Sequence, residues 1–169
     1  MNTGDLLADG FGRIRDQVHA VVDAMTAEQL AYRVDAEANS IGWLVWHLTR
    51  VQDDHIADVA GSDQVWLADG WQQRFGLSLD PLATGYAHTP DEVAAVRVES
   101  HELLTGYHDA TYQATIDYVR GLTDDDLDRV IDTSWDPPVT LGVRLVSVLS
   151  DDIQHVGQAA FVRGVIDRR

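Results

Sequence analysis

Apolar residues recur along this chain at the spacing of an α-helix, and most of the stretches that carry them open on helix-capping residues. That combination constrains the fold more than any other feature. A first helix is expected over residues 5–24, with Leu6, Leu7, Phe11, Ile14, Val18, Val21 and Val22 as its stripe. Thr26-Ala-Glu-Gln29 is a capping box that opens a short turn. A second helix is expected from Ser40, as N-cap, to about Gly61. Thr89-Pro90-Asp91-Glu92 joins an N-cap, a first-turn proline and a capping-box carboxylate. It predicts a third helix running on to Arg120, and a fourth is expected from Thr140 to Gly164. Residues 62–88 form a long connection rich in Trp, Gly and Asp, with room for a short helix. Residues 129–138 read as a short extended piece that ends at the prolines.

The expected fold is therefore all-α, a four-helix bundle with a long crossover between helices 2 and 3, in a single domain over residues 1–169. A short internal echo supports it. Thr26-Ala-Glu-Gln-Leu30 precedes Ser40-Ile-Gly42, and Thr123-Asp-Asp-Asp-Leu127 precedes Thr140-Leu-Gly142. Each half then reads as helix, capped turn, link, helix, with the second and fourth helices in matching roles. On a helical wheel, Ile41, Leu44, Val45, Leu48, Gln52, His55, Ile56 and Val59 share the core face of the second helix. The fourth helix places Gly142, Val146, Leu149, Ile153, Val156 and Ala160 in its central stripe.

Composition removes several functions. The formal net charge is −16, and all twelve cations are Arg. A body this acidic repels phosphate backbones, so no nucleic-acid partner is expected. No apolar run is long enough to span a bilayer, and the acidic N-terminus has no apolar signal-peptide core. No membrane partner and a cytoplasmic location follow as expectations. With no cysteine in the chain, any thiol chemistry needs a thiol from outside.

The chemistry-bearing residues are sparse. Asp151 and His155 stand four apart on the fourth helix, hence on one face. A carboxylate and an imidazole so placed can reach one divalent metal, or form an ordinary surface pair. His47 lies in an apolar segment of the second helix, as a third ligand or as a hydrogen-bonded core histidine. His55 is a substitute ligand or a core residue, and Asp54 a partner to His47 or a solvated carboxylate. No phosphate loop, His-Glu-x-x-His pattern or Gly-x-Ser-x-Gly elbow is present. The five Trp read as core or as cleft lining.

Three segments together resemble the DinB-like metal-binding four-helix bundles, in their actinobacterial mycothiol-transferase-like branch. They are SIGWLVWHL (Ser40 to Leu48), the link from Gln64 to Gly76, and DDIQHVGQAAFVRG (Asp151 to Gly164), whose His155-x-Gly157-Gln158 is the most specific element. The resemblance implies a divalent transition metal, zinc or nickel first, held by His47, Asp151 and His155. Asp151 stands where the commoner pattern has a histidine. The resemblance further implies transfer of a mycothiol-type thiol, as co-substrate, onto a small electrophile. A metal-dependent hydrolase and a non-catalytic metal-binding or stress-response protein are the alternatives. Arg50, Arg74 or Arg144 is expected to hold a substrate carboxylate. A homodimer is expected too, with the Trp-bearing link offering surface to bury.

Overall fold

The computed structural model describes residues 2–169. Its helices in chain order are α1 Thr3–Val22, α2 Ala27–Leu30, α3 Ile41–Ala60, α4 Val65–Ala68, α5 Trp71–Phe75, α6 Pro90–Ala95, α7 His101–Val119 and α8 Leu141–Ile166. A 3-10 turn at Asp125–Asp128 leads into two short antiparallel strands, β1 Val130–Asp132 and β2 Val139–Thr140. Val130 pairs with Thr140, and Asp132 with Val139. The extended piece expected near the prolines is thus half of a hairpin, with Pro137 and Pro138 in its turn.

Caps set the ends of the long helices. Asn2 accepts from the Asp5 backbone at 2.7 Å and Asp5 returns the bond at 3.2 Å, which starts α1 two residues before its expected position. Ser40 and Thr140 cap α3 and α8 through their hydroxyls. In the bundle α1 packs on α7 and α8, and α3 packs on the same two helices. The long helices of each half, α1 with α3 and α7 with α8, therefore lie across a diagonal, while α3 and α7 are neighbours joined by the long crossover. The core is built from Phe11, Ile14 and Val18 of α1, Leu44, Val45 and Leu48 of α3, Leu104 and Tyr107 of α7, and Leu145, Val148 and Val156 of α8.

The internal echo is a real structural repeat. Gly42 and Gly142 each occupy the second position of a long helix. A Cβ on Gly42 would meet the Leu30 carbonyl at 3.1 Å, and one on Gly142 the Leu127 carbonyl at 3.3 Å. In both halves a short capped turn lies against the first turn of the next long helix, and glycine permits that approach.

Two expectations fail. The third helix does not run unbroken from Thr89 to Arg120. It stops at Ala95, and Val96, Val98 and their neighbours cross to α7 in non-helical conformation. Both valines are buried, so β-branched side chains that fit extended backbone go into the core instead of onto a helix surface. The stripe assigned to the fourth helix is rotated too. The buried row of α8 is Leu141, Leu145, Val148, Asp152, Val156, Ala159 and Val162. Val143, Val146, Ile153 and Phe161 are each more than half exposed. None of the exposed residues from Val143 to Phe161 is ionisable. The apolar pattern therefore points outward as strongly as inward, and a wheel cannot tell the two apart.

Candidate metal centre

His47 comes from the middle of α3, a helix buried on nearly every side, and is itself only 6% exposed. A buried imidazole needs partners for its nitrogens. Nδ1 donates to the Thr84 carbonyl at 2.6 Å, which leaves Nε2 with the lone pair. Trp43, one turn earlier on α3, stacks on the ring at 4.5 Å with planes 17° apart. Gly85 closes the other side. Its φ of +93° and its closeness to the ring both require glycine, since a Cβ there would lie 2.8 Å from His47 Nδ1. His88 sits behind this wall, accepting from Trp43 Nε1 at 3.2 Å and stacked on Trp46. Sequence spacing gave no sign of that role, because it depends on how the link folds back on α3.

Asp151 and His155 come from α8, which packs directly against α3. His155 Nδ1 faces Gln158 Oε1 at 3.0 Å, which again leaves Nε2 as the lone-pair nitrogen. Its Nε2 stands 3.5 Å from Asp151 Oδ1, and the rings of His47 and His155 meet edge to face at 4.8 Å. Asp151 Oδ2 is buried without a hydrogen-bond partner. One potential ligand atom from each of the three residues lies within 4.8 Å of the others. The structure thus brings together the three residues singled out from sequence.

Their electrostatics differ. Burial pulls the His47 imidazole below its ordinary range, against the opposing bond to Thr84. The facing Asp151 carboxylate favours a proton on Nε2 and so holds His155 above that range; a metal would take that proton's place. Burial alone would raise the Asp151 carboxyl, but His155 and the other nearby imidazoles outweigh it and hold the group low. Two imidazoles with free Nε2 atoms and an ionised carboxylate with an unpartnered oxygen form a donor set that fits a divalent transition metal. His55 does not join it. Its Nδ1 faces Arg144 at 2.8 Å, and its side chain is partly exposed instead of lying in the core. Asp54 accepts from Gln64 at 2.6 Å and gives His47 no support.

A cavity of about 460 Å³ opens beside the three residues, lined by His47, Asp151, Val51, Val148, Tyr86 and Trp135 among others. Of the expected carboxylate binders, Arg50 is fully buried, where it donates to the Ala83 carbonyl and to Tyr107. Arg74 lies over the Trp71 ring, and Arg144 is engaged by His55 and Asp132. Asp53 ties the link to α3 by accepting from the backbone of Val65 and Trp66. In the link Trp66 is buried and Trp71 half-buried, while Leu67, Leu82 and Tyr86 are exposed.

No helix among the described residues is long and apolar enough to cross a membrane. Comparison with curated proteins finds no match. A crystal structure of a conserved protein from Enterococcus faecalis is similar at 32% identity and a TM-score of 0.93, covering 100% of this chain and 99% of that one. The sequence model of the mycothiol S-transferases matches residues 6–168. With the bundle, the repeat and the three converging side chains in place, that match over nearly the whole length shows that the chain belongs to the mycothiol S-transferase family.

Proposed function

We propose that this protein transfers a low-molecular-weight thiol of the mycothiol type onto a small electrophile, using a divalent transition metal, zinc or nickel, held by His47, Asp151 and His155. One observation carries the proposal. Each histidine is fixed by a separate Nδ1 partner, the Thr84 carbonyl for His47 and Gln158 for His155, so that Nε2 is left free beside a carboxylate oxygen with no other partner. A divalent cation there would supply positive charge that favours the thiolate over the thiol near neutral pH.

The remaining work falls to the chain. Val51 and Val148 keep water from one side of the cavity, and Trp43 and Gly85 hold His47 against tilting. The chain has no cysteine, so the nucleophile is the exogenous thiol. With a halide acceptor, a carbon–sulfur bond forms and the carbon–halogen bond breaks. The halide leaves with the electron pair, and the thiol proton passes to solvent. The test compares metal-loaded parent, metal-free protein and His155→Ala with mycothiol and a bimane or haloarene acceptor. Turnover only by the metal-loaded parent is expected. Equal, near-background rates for all three would remove the transferase, and water-dependent turnover without thiol would establish a hydrolase instead.

We further propose that two copies pair through α8. Val143, Val146, Ser150, Ile153, Gly157 and Ala160 follow 3- and 4-residue steps along its exposed face, the spacing of a helix that packs on its own copy. The absence of ionisable groups there lets two chains of net charge −16 meet without like-charge repulsion. Sedimentation at about 50 μM, a working range for specific association, should give a dimer for the parent and a monomer for Ile153→Arg. A monomeric parent overturns the pairing.

A further inference from the structure

The cavity beside the metal centre carries information about the acceptor. Tyr86 and Trp135 line it from different parts of the chain, and both rings are largely open to solvent, 87% and 67% exposed. Tyr86 follows Gly85, whose tight approach to His47 fixes where the next residue emerges. Trp135 stands at the tip of the β1–β2 hairpin, just after a turn in which Asp132 accepts from Ser134 at 2.9 Å, and Asp132 is tied to Arg144 on α8. The positions of the two rings are thus set by backbone anchored elsewhere. Aromatic rings are the side chains that gain most from being covered. Two uncovered rings on one cavity, with Val51 and Val148 between them and the α3–α8 seam, describe a slot that lacks its occupant's apolar surface.

Charge narrows the occupant. Away from the metal ligands, Asp54 lines the cavity and disfavours an anionic group on the ring. Arg144, the nearby cation that could offset it, is taken by His55 at 2.8 Å and Asp132 at 3.4 Å. A cation on the ligand would meet the metal's own charge. A volume of about 460 Å³ suits a small ring compound.

We propose that this cavity is an acceptor subsite for an uncharged aromatic group, gripped between Tyr86 and Trp135, with its reactive atom toward His47 and Asp151. The name acceptor rests on the thiol-transfer function proposed above; the binding site does not. Binding and turnover are therefore measured separately on the full-length, zinc-loaded protein. Calorimetry with 1,3-dinitrobenzene, which is neutral and inert to thiols, should show saturable binding. Affinity should fall about tenfold in Trp135→Ala and in Tyr86→Ala. The same ring carrying a carboxylate, 3,5-dinitrobenzoate, is compared on the metal-free protein, where no cation can ligate it, and should bind at least about tenfold more weakly than dinitrobenzene does. Both variants lie in exposed segments, and unchanged zinc content and circular dichroism show that they fold.

In turnover with mycothiol, Trp135→Ala should raise KM for 1-chloro-2,4-dinitrobenzene and leave KM for the thiol unchanged. The rate with iodoacetamide, a small acceptor without a ring, should also be unchanged. Dinitrobenzene binding that needs both rings, in a protein that turns over no acceptor, keeps the subsite and removes the transferase. Turnover with parent-like KM in both variants, or dinitrobenzoate bound as tightly as dinitrobenzene by the metal-free protein, overturns the subsite and leaves the transferase standing.

Discussion

The two sides of the proposed metal centre are built differently. On α3, His47 is nearly inaccessible, bonded to a backbone carbonyl, stacked on Trp43 and hemmed in by Gly85. On α8, His155 and Asp151 are partly exposed and steady each other, with Gln158, from the same helix, as the other polar support. Two elements that meet only in the folded bundle, α3 and the connection that carries Thr84 and Gly85, hold His47. Asp151 and His155 are fixed by spacing along one helix. The difference teaches that the α3 side is the rigid one, while the α8 side can be changed without rebuilding the core. Asp151, standing where the family resemblance expects a histidine, is a change on that tolerant side.

The largest expected effect tests whether all three residues are ligands. His47→Ala and His155→Ala should each abolish stoichiometric zinc or nickel binding, since two remaining ligands do not hold the ion against solvent. Their fold stabilities should diverge. His47→Ala loses a buried hydrogen bond and a stacked ring, so a loss of about 1–2 kcal/mol is expected by denaturant titration. His155→Ala should stay within about 0.5 kcal/mol, as substitutions outside the core do. Equal stability losses would erase the distinction between the two sides, and undiminished metal binding by His155→Ala would remove the site.

Changing the tolerant side should move affinity in both directions. Asp151→Ala is expected to weaken zinc binding by about tenfold to a hundredfold, in keeping with the loss of one ligand or of its close support. Asp151→His should match or exceed the parent, because imidazole suits zinc and nickel well. Competition against a chromogenic chelator reads both. A histidine at this position that binds no better than alanine would show that α8 is held as tightly as α3.

How much of this was legible in the sequence follows the same division. Both ends of α3 and the start of α8 came from Ser40, Gly61 and Thr140, which are local signals, while the ends of α1 and the far end of α8 were each placed two residues off. The ligand trio came from one local spacing plus a family resemblance. What failed was long-range. The break at Val96 depends on two valines finding the core. The wheel of α8 was misread because Asp152 is fully buried while Val146 and Ile153 face outward, an arrangement fixed by the neighbouring helices and not by polarity. Burial pushes the Asp152 carboxyl well above its usual range, which favours the neutral form at that position. The supports of His47, from Thr84, Gly85 and His88, lie in a connection whose path no periodicity describes.

That connection gives a smaller test. Gly85→Ala introduces a side chain at φ +93° and 2.8 Å from His47 Nδ1. The turn must shift and the His47 ring with it. Zinc affinity should fall about tenfold, the lower end for disturbing an outer support. Gln158→Ala, which removes the corresponding support of His155, should cost less, since Asp151 still faces that ring. The two affinities measured side by side give the ratio, and a greater loss from Gln158→Ala would reverse the assignment of the rigid side.

The smallest effect is a pH dependence of the metal-free protein, where the two histidines should titrate on opposite sides of the ordinary imidazole value. His155 is held high by Asp151. Its interaction stabilises the fold fully below the unfolded-state pKa of about 6.5 and is lost as pH rises through the higher folded value. His47 is held low by burial. It favours the fold above about pH 6.5, and that contribution is lost as pH falls toward its folded value, since the unfolded chain takes up a proton that the native state refuses. Between the two folded values the contributions slope in opposite senses and partly cancel in the parent. Asp151→Asn removes the carboxylate that holds His155 high. Stability of the metal-free variant should then lose its alkaline fall and keep its acid fall. Ring-proton NMR titration assigns each pKa, and denaturant titrations across pH 5 to 8 read the slopes. If His155 still titrates above His47 in the Asn variant by as much as in the parent, the α8 pair does not steady itself, and the support of His155 lies elsewhere.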